Sequence, residues 1–181
     1  MLESIIRKRK SIRQFDNQTV DIKEIIEILE IARFAPSGKN RQPWKVKIID
    51  KSDKATLIKL LRDTFSNENL PGSLEITLGA LEQCDKVILF FNPYSYREDD
   101  YSRNKLLMDT QSLGALIQNF LLLSTERGIA TLWINDVYFA KNEIERVFAD
   151  SRFEIIAAVA VGYSSIIRTY DIRKDLDEIL L

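Results

Sequence analysis

A long apolar helix in the second half of the chain limits the available folds more than any other feature. Residues from about 105 to 127 are strongly helical in composition and spacing. Their apolar side chains are too numerous for one stripe: Leu113, Leu116, Ile117, Phe120, Leu121 and Leu123. A helix on a protein surface is apolar along one face only. We therefore expect this helix to be central, with Gly128 as its left-handed C-terminal cap.

Strands are predicted before and after this helix. Trp44, Val46 and Ile48 alternate with lysines, which is typical of a strand with one buried face. Residues 87–91 form a continuous apolar run, as in a strand that is buried on both faces. Two further buried strands are expected at residues 129–134 and 153–161.

Shorter helices are predicted in the remaining segments. Asp21 and Glu24 resemble a capping box for a helix that must end near Pro36. Ser52 is expected to cap a further helix. Additional helical patterns occur at residues 2–9, 74–81 and 143–148. The tail, residues 164–181, ends in an amphipathic pattern that packs either on a partner or on its own domain.

The side-chain inventory excludes several kinds of active site. The 181 residues include one cysteine and no histidine. A serine-histidine-aspartate triad and a cysteine-histidine pair are therefore impossible, and Cys84 alone cannot form an internal disulfide. We expect Cys84 to be a packed thiol, because it lies just before a predicted buried strand. Demanding chemistry would require carboxylates, lysine, tyrosine or a bound cofactor.

Length and charge predict one domain over residues 1–181. A folded chain of this length exposes roughly 9,000 Å² and has an ample core. The formal net charge is −1, so no excess basic field attracts nucleic acid or anionic membrane. No apolar run reaches about 18 residues. We expect a cytoplasmic protein without nucleic-acid or membrane partners.

Two segments carry side chains suited to ligand binding. If the chain is extended after the first helix, Arg9, Ser11 and Arg13 point the same way, because strand side chains alternate. Two guanidinium groups and a hydroxyl can hold a phosphate, although a solvated basic turn is the alternative. Residues 35–44 end a helix and offer amide side chains to a flat heterocycle, or simply connect a helix to a strand.

Together, these segments resemble the nitroreductase-like family of flavin oxidoreductases. Residues 9–15 are similar to the family motif R-[RHK]-S-x-R-x-[FY], and residues 36–44 match P-S-[GS]-x-N-x-Q-P-W. Residues 112–119, in the predicted central helix, match S-x-G-A-x-x-Q-N. The resemblance continues through residues 127–134 to residues 161–163. It therefore covers nearly the whole chain, in the right order.

The resemblance implies an α+β fold with a central, mostly antiparallel mixed sheet flanked by helices, and a homodimer with FMN at its interface. Arg9 and Ser11 would hold the FMN phosphate, and Arg13 would approach the pyrimidine edge of the flavin. The second motif would come from the other subunit. The implied cofactor-binding residues are Arg9, Lys10, Ser11, Arg13, Pro36, Ser37, Gly38, Asn40, Leu132, Trp133 and Arg173. For Trp133, an ordinary core tryptophan is the alternative. The resemblance implies no catalytic side chain and no metal.

One departure from the family concerns a late basic pair that also binds the phosphate. Its arginine corresponds to Arg173, but the lysine position holds Asp171. Arg168 or Lys174 is a candidate replacement. The segments expected to select the substrate, residues 66–73 and 92–104, match no family motif.

The implied activity is FMN-dependent reduction of a small, electron-poor acceptor, such as a nitroaromatic or a quinone. NADH or NADPH would be the electron donor, and the kinetics would be ping-pong. Two alternatives stay open. One is a non-enzymatic flavin-binding redox sensor or store. The other is a family branch with dehalogenating, dehydrogenating or flavin-fragmenting chemistry.

Overall fold

The protein, described from a computed structural model, has a four-stranded antiparallel sheet with helices on both faces. The structure describes residues 2–65, 70–98, 100–149, 151–166 and 172–180. The predicted α+β fold with a mostly antiparallel sheet is confirmed. The prediction of one domain over residues 1–181 extends beyond the described residues and stays a prediction.

The elements follow the predicted order along the chain. The helices are α1 (Leu2–Lys8), α2 (Ile22–Ala32), α3 (Lys51–Asp63), α4 (Gly72–Gln83), α5 (Arg103–Glu126) and α6 (Lys141–Ala149). The strands are β1 (Lys45–Asp50), β2 (Lys86–Asn92), β3 (Ala130–Ile134) and β4 (Glu154–Gly162). Short 3₁₀ helices occur at Gly38–Asn40, Asp136–Ala140 and Leu176–Glu178.

The sheet has the strand order β1-β2-β4-β3, and each neighbouring pair is antiparallel. Strands β2 and β4 are central and buried along their whole length, which explains their continuous apolar runs. Strands β1 and β3 are the two edges. A parallel pairing occurs as an isolated bridge between Ser11 and Thr131, outside the named strands.

Each face of the sheet carries its own hydrophobic core. Along β2, Leu89 and Phe91 belong to the core with α3, α4 and α6, whereas Ile88 and Phe90 belong to the core with α2 and α5. This division follows from the alternation of side chains along a strand. The register shifts between Phe90 and Phe91, where β4 carries an extra residue.

Helix α5 lies in the core, as predicted. Phe120 is fully buried, and its ring makes an edge-to-face contact with Phe90, with centroids 6.4 Å apart. Gly128 caps the C-terminal end at φ 75°, and the amide of Ile129 donates to the carbonyl of Ser124. By length and composition α5 could cross a membrane, but its buried side chains pack against the sheet and α2, as in a core helix.

Two helix starts separate a confirmed prediction from a wrong one. Asp21 caps α2 as predicted, and its side chain accepts a hydrogen bond from the amide of Lys23 at 2.9 Å. The predicted capping box is not completed, because the Glu24 carboxylate accepts from the hydroxyl of Tyr163 at 3.5 Å. Ser52 does not cap α3, because that helix begins one residue earlier, at Lys51. Lys51 has φ 34°, so β1 turns directly into α3 with Asp50 at the N-cap position.

The described part of the tail does not pack into either core. Ile172 is 88% exposed, and Leu176, Ile179 and Leu180 are also exposed. A capping box at Asp175 and Glu178 starts a short 3₁₀ helix there. These apolar side chains are therefore available to another surface.

Candidate functional site

The first motif forms an extended strap along the free edge of β3. Ser11 bridges to Thr131, and the amide of Ile12 donates to the carbonyl of Thr131 at 2.9 Å. Because the strap is extended here, Arg9, Ser11 and Arg13 share one side, as the sequence predicted. All three side chains are half-buried.

The two arginines of the strap have no acidic partner among the described residues. Within the described part of the chain, Arg9 makes no side-chain hydrogen bond or ion pair. Arg13 donates to the carbonyl of Ser11 at 3.3 Å and pairs with no described carboxylate. Partly buried guanidinium groups are normally paired, so this side of the strap can accept an anion from outside the chain.

The strap is fixed at its far end by the last motif of the sequence. The buried ring of Phe15 lies against Gly162, and a Cβ added to Gly162 would be 2.8 Å from Phe15 Cδ1. The amide of Asp16 donates to the carbonyl of Tyr163 at 2.8 Å. A side chain at position 162 would therefore have to displace this ring.

Lys10 takes a different position from its neighbours. It lines a cavity of about 210 Å³ with Lys8, Ile12 and the turn at Gly128. Because side chains alternate along an extended strap, the side chain of Lys10 lies on the opposite side from those of Arg9 and Ser11. Its assignment to the cofactor site stays a prediction.

The second motif is a tight loop in an unusual backbone conformation. Lys39, Asn40 and Gln42 have φ values of 55°, 53° and 51°. Left-handed backbone is uncommon for residues other than glycine and is concentrated at functional sites. The loop is tied by Ser37, whose Oγ accepts a hydrogen bond from the amide of Gln42 at 2.9 Å. We call residues 36–42 the motif loop.

The motif loop borders two cavities along the first half of α5. The first has a volume of about 270 Å³ and is lined by Pro36, Ser37, Gly38, Met108, Gln111, Ser112 and Ala115. The second has a volume of about 450 Å³ and is lined by Gly38, Lys39, Arg41, Lys105, Met108 and Asp109. They share Gly38 and Met108, so they are adjacent. A Cβ on Gly38 would be 3.0 Å from Met108 Cε.

Leu132 and Trp133 lie on opposite faces of β3. Leu132 is buried in the core with α3, α4 and α6. Trp133 is half-buried on the other face, where its Cη2 lies 3.8 Å from the Cβ position of Gly114, and its indole donates to Asn135 at 3.0 Å. Only Trp133 therefore turns its side chain toward α5.

Other predicted site residues lie in or near the tail. Arg173 is exposed, and its guanidinium donates to the carbonyl of Ile172 at 2.9 Å. Lys174 is also exposed. Arg168 and Asp171 lie outside the described residues, as do parts of the two predicted substrate segments, 66–69 and 99.

The two motifs lie in separate places on the chain. The strap runs alongside β3, and the motif loop leads into β1. Because β3 and β1 are the two edge strands, the motifs lie at opposite edges of the sheet. Among the described residues, no hydrogen bond or ion pair joins them. A second copy could bring the motif loop of one chain beside the strap of the other.

Sequence reasoning missed a polar cluster beside the motif loop, which we call the Arg41 cluster. Its members are Arg41, Asn92, Tyr94, Glu98, Tyr101 and Asp109. Arg41 donates to Glu98 at 2.7 Å and to Asp109 at 3.2 Å, and its Cζ lies 4.1 Å from the ring centre of Tyr94. A signal was present, because Asp109 is the only acid in α5 before Glu126.

Burial and charge tune the Arg41 cluster. Desolvation raises the pKa of Tyr101, and the hydroxyl's hydrogen bond to Asp109 at 2.7 Å raises it further. For Arg41, burial acts to lower the pKa, but the hydrogen bond to Glu98 and the charges of Glu98 and Asp109 outweigh it and raise the pKa. The phenol and the guanidinium therefore keep their protons at neutral pH.

Cys84 is a packed thiol, as predicted. It is buried, its Sγ donates to the carbonyl of Leu81, and burial raises its pKa to about 11. A protonated buried thiol is a poor nucleophile. Asp100 pairs with Lys105 at 2.7 Å. Asp99 lies outside the described residues. Among the described residues, no group of three or more acids or cysteines could hold a metal ion.

Comparison with known proteins gives a consistent result over most of the chain. The sequence model of the nitroreductase family matches residues 6–163. YfhC of Bacillus subtilis, provisionally named an NAD(P)H nitroreductase, is 30% identical over 165 residues, which cover 90% of this chain and 84% of YfhC. The iodotyrosine deiodinase of Thermotoga neapolitana is 27% identical over 179 residues, which cover 90% of this chain and 88% of the deiodinase.

A solved structure gives the same fold. A protein of Desulfovibrio desulfuricans, provisionally named a nitroreductase and solved in complex with FMN, superposes with a TM-score of 0.75 at 24% identity. The match covers 99% of this chain and 95% of that one. The strap, the motif loop and the sheet therefore belong to an established architecture.

Proposed function

The chain belongs to the nitroreductase family, and from this premise we propose that it is an FMN-dependent oxidoreductase. In this proposal it takes hydride from NADH or NADPH and reduces small, electron-poor acceptors such as nitroaromatics or quinones, with ping-pong kinetics. The observation that carries the proposal is the strap, which offers two arginines, with no acidic partner in the described part of the chain, beside a serine hydroxyl.

The strap fits the phosphate end of FMN. A phosphate dianion needs charge-assisted donors, and the half-buried side chains of Arg9 and Ser11 supply them on one side of an extended backbone. Bridging to the edge of β3 holds that backbone in place before a ligand arrives. Arg173, brought from the tail, would add a further donor, and Lys174 or Arg168 would replace the basic residue that is missing at position 171.

The motif loop fits the flat ring system of the flavin. Gly38 adjoins the cavity lined by Pro36 and Ser37, and its lack of a Cβ keeps that cavity open toward Met108. Asn40 has a left-handed backbone at φ 53° and is exposed in this loop. Such a preformed loop can present hydrogen-bond groups to the edge of a heterocycle without further ordering.

FMN would supply the two-electron chemistry between NAD(P)H and the acceptor. The part of the chain's own residues is binding, orientation and charge. Arg13, half-buried and without a described carboxylate partner, would provide a fixed positive charge at the pyrimidine edge, where negative charge develops on reduction. Trp133, above Gly114, would bound the ring on the α5 side. No protein acid or base is required, which agrees with the lack of histidine.

A homodimer would bring the two motifs together. The protomer exposes 11,054 Å², whereas a compact monomer of this length is expected to expose roughly 9,000 Å². Several large apolar side chains contribute to the excess: Leu2, Ile6, Ile26, Phe34, Leu107 and Met108. Exposed apolar side chains on α1, α2 and the start of α5 favour a protein partner, and a second copy would bring the motif loop to the strap.

The proposed setting is the cytoplasm, where NAD(P)H is available. The net charge of −1 favours neither nucleic acid nor an anionic membrane as a partner. A small-molecule acceptor and a second copy are therefore the partners we propose.

A second candidate function is reductive dehalogenation of an aromatic substrate. The observation that favours it is the similarity to the iodotyrosine deiodinase over 90% of this chain. Release of iodide from iodotyrosine by the reduced protein, with slower reduction of nitroaromatics and quinones, would support this branch. The reverse order of rates would support the main proposal.

The test begins with the absorption spectrum of freshly purified protein. We expect flavin bands, bleaching by NADH or NADPH without oxygen, and recovery when p-benzoquinone is added. A colourless protein that does not bind added FMN would refute the proposal. A flavin that neither nucleotide reduces would instead favour a redox store or another electron donor.

A matched pair of variants tests the strap. Arg9→Ala removes one charge-assisted hydrogen bond, worth about 1.5–3 kcal/mol, and should weaken FMN binding by roughly 10- to 150-fold. Arg7→Ala is the control, because Arg7 lies two residues away and pairs with exposed Glu3 at 3.1 Å. Equal FMN affinity in both variants would contradict the assignment of the first motif.

A further inference from the structure

The 450 Å³ cavity is walled by two segments that are far apart in sequence. Gly38 and Arg41 belong to the motif loop, whereas Lys105, Met108 and Asp109 belong to α5. The cavity adjoins the one beside Pro36 and Ser37. If FMN contacts the motif loop, as proposed above, a second small molecule in this cavity lies next to the cofactor.

A loop between β2 and α5 is fastened beside this cavity. Its described residues, 93–98 and 100–102, are held at several points. The side chain of Asn92 accepts from the amide of Tyr94 at 2.9 Å and donates to the hydroxyl of Tyr101 at 2.6 Å. Lys105 pairs with Asp100 and lies 3.5 Å from Glu98. We call this segment the acceptor loop.

One guanidinium joins the acceptor loop, the motif loop and α5. Arg41 is in the motif loop, Glu98 is in the acceptor loop, and Asp109 is in α5. The Arg41 Nη2 and Nε atoms donate to these two carboxylates at 2.7 and 3.2 Å. The side chain of Arg41 is 28% exposed and that of Asp109 is 5% exposed, so water screens these contacts less than a surface ion pair.

The geometry requires arginine rather than any cation. The planar fork of Arg41 reaches two carboxylates in different directions and stacks on Tyr94, 4.1 Å from its ring centre. A lysine ammonium is a compact charge that neither stacks in this way nor bridges two separated carboxylates in a fixed plane. Replacement by lysine therefore keeps the positive charge but loses the simultaneous contacts with Glu98, Asp109 and Tyr94.

We propose that Arg41 is a positioning residue that sets the width of this 450 Å³ cavity beside the flavin. Its bond to Asp109 fixes the distance between the motif loop and α5, which wall the cavity, and its bond to Glu98 holds the acceptor loop against them. This inference rests on the proposed function. Arg41 acts through the backbone of the two loops and through Asp109, and it takes no part in electron transfer. Its consequence is selectivity, because a fixed width favours small planar acceptors over larger ones.

The test compares Arg41→Lys with Arg127→Lys in the full-length protein loaded with FMN. Arg127 is a matched control, since its side chain is 29% exposed and pairs with Glu27 at 2.9 Å, between α5 and α2. Steady-state kinetics with p-benzoquinone (one ring) and menadione (two rings) give kcat and KM separately. Trypsin cleavage after Arg97, measured without FMN or acceptor, reports opening of the acceptor loop.

For Arg41→Lys we expect kcat/KM for p-benzoquinone to fall roughly 10- to 100-fold, mainly through KM, because small misplacements of a site have effects of this size. Menadione should lose less, so the ratio between the two acceptors changes. Cleavage after Arg97 should become faster. Arg127→Lys should match the wild type in all these measurements.

Unchanged kinetics and unchanged cleavage in Arg41→Lys would overturn the inference. If that variant does not fold, Asp109→Asn replaces it, because the amide weakens the bond between Arg41 and α5 and leaves Arg41 paired with Glu98. A normal acceptor ratio in Asp109→Asn would also overturn the inference. A wild-type protein without flavin or turnover would refute the proposed function itself. An active wild-type protein, together with an Arg41→Lys variant that has the same kinetics and cleavage rate, would refute only the positioning role of Arg41.

Discussion

The contact between Phe15 and Gly162 gives a quantitative test of how the strap is held. In Gly162→Ala, the new Cβ would lie 2.8 Å from Phe15 Cδ1 and 3.3 Å from Cγ. Carbon atoms pack best at about 3.5–4.0 Å, so the ring must move by several tenths of an ångström or more. Phe15 is 8% exposed within the core, and overpacking of this kind costs about 1–3 kcal/mol.

Thermal unfolding measures the cost at fixed protein and FMN concentrations. For a chain of this length, a loss of 1–3 kcal/mol lowers Tm by roughly 2–12 °C. Gly79→Ala is the control, because nothing lies within 4 Å of a Cβ there. Since Gly79 is inside α4, its replacement should stabilise the protein by about 0.5–1 kcal/mol.

A double mutant identifies the cause of the destabilisation. If the clash with the ring is responsible, Phe15→Leu should relieve it, and the double variant should be more stable than the sum of the two single changes by about 1 kcal/mol or more. FMN affinity should fall in Gly162→Ala and partly recover in the double variant, because Phe15 anchors the strap. Additive changes in Tm, with unaltered FMN affinity, would refute this reasoning.

Other substitutions test separate features. Gly128→Ala forces a side chain into the left-handed region at φ 75° and should cost about 1–2 kcal/mol in urea unfolding; no loss would contradict the assigned cap. Ser37→Ala removes the acceptor for the Gln42 amide and should weaken FMN binding, measured by titration, with little change in Tm, because the loop is exposed. Burial raises the pKa of Cys84 from 9.0 to about 11. The contribution of the protonated thiol to stability is therefore fully present below pH 9, and on the order of 3 kcal/mol at most is lost as the pH rises through 11. Cys84→Ala should lack this loss, and equal pH profiles in urea unfolding would contradict the burial.

The sequence predicted the fold well where a single physical rule controls an element. Strands β2 and β4 are continuous apolar runs because helices cover both faces of the sheet. Gly128 follows an apolar helix and has the expected positive φ. Ser52 shows where such rules fail. The helix α3 begins at Lys51 with Asp50 at the N-cap position, and no side-chain hydrogen bond caps it, so Ser52 lies inside the helix.

The candidate site was predictable only in part. The alternation of Arg9, Ser11 and Arg13 follows from local geometry, as does the opposite phase of Lys10. Asp109, the only acid in α5 before Glu126, was a signal for the Arg41 cluster, but its pairing was not predictable. Arg41 is separated from Glu98 by 57 positions along the chain and from Asp109 by 68. Neither periodicity nor a motif reports which distant carboxylates will meet an arginine.

The central claim is that each flavin site is completed by a second copy of the chain. Arg9→Ala and Asn40→Ala should each weaken FMN binding as homodimers, since each damages every site. A mixed dimer of the two has one site with both changes and one site with neither. After unfolding and refolding the variants together, FMN titration should therefore recover tight binding at one site in each mixed dimer. If mixing restores no tight site, one chain builds the whole site and the claim is wrong.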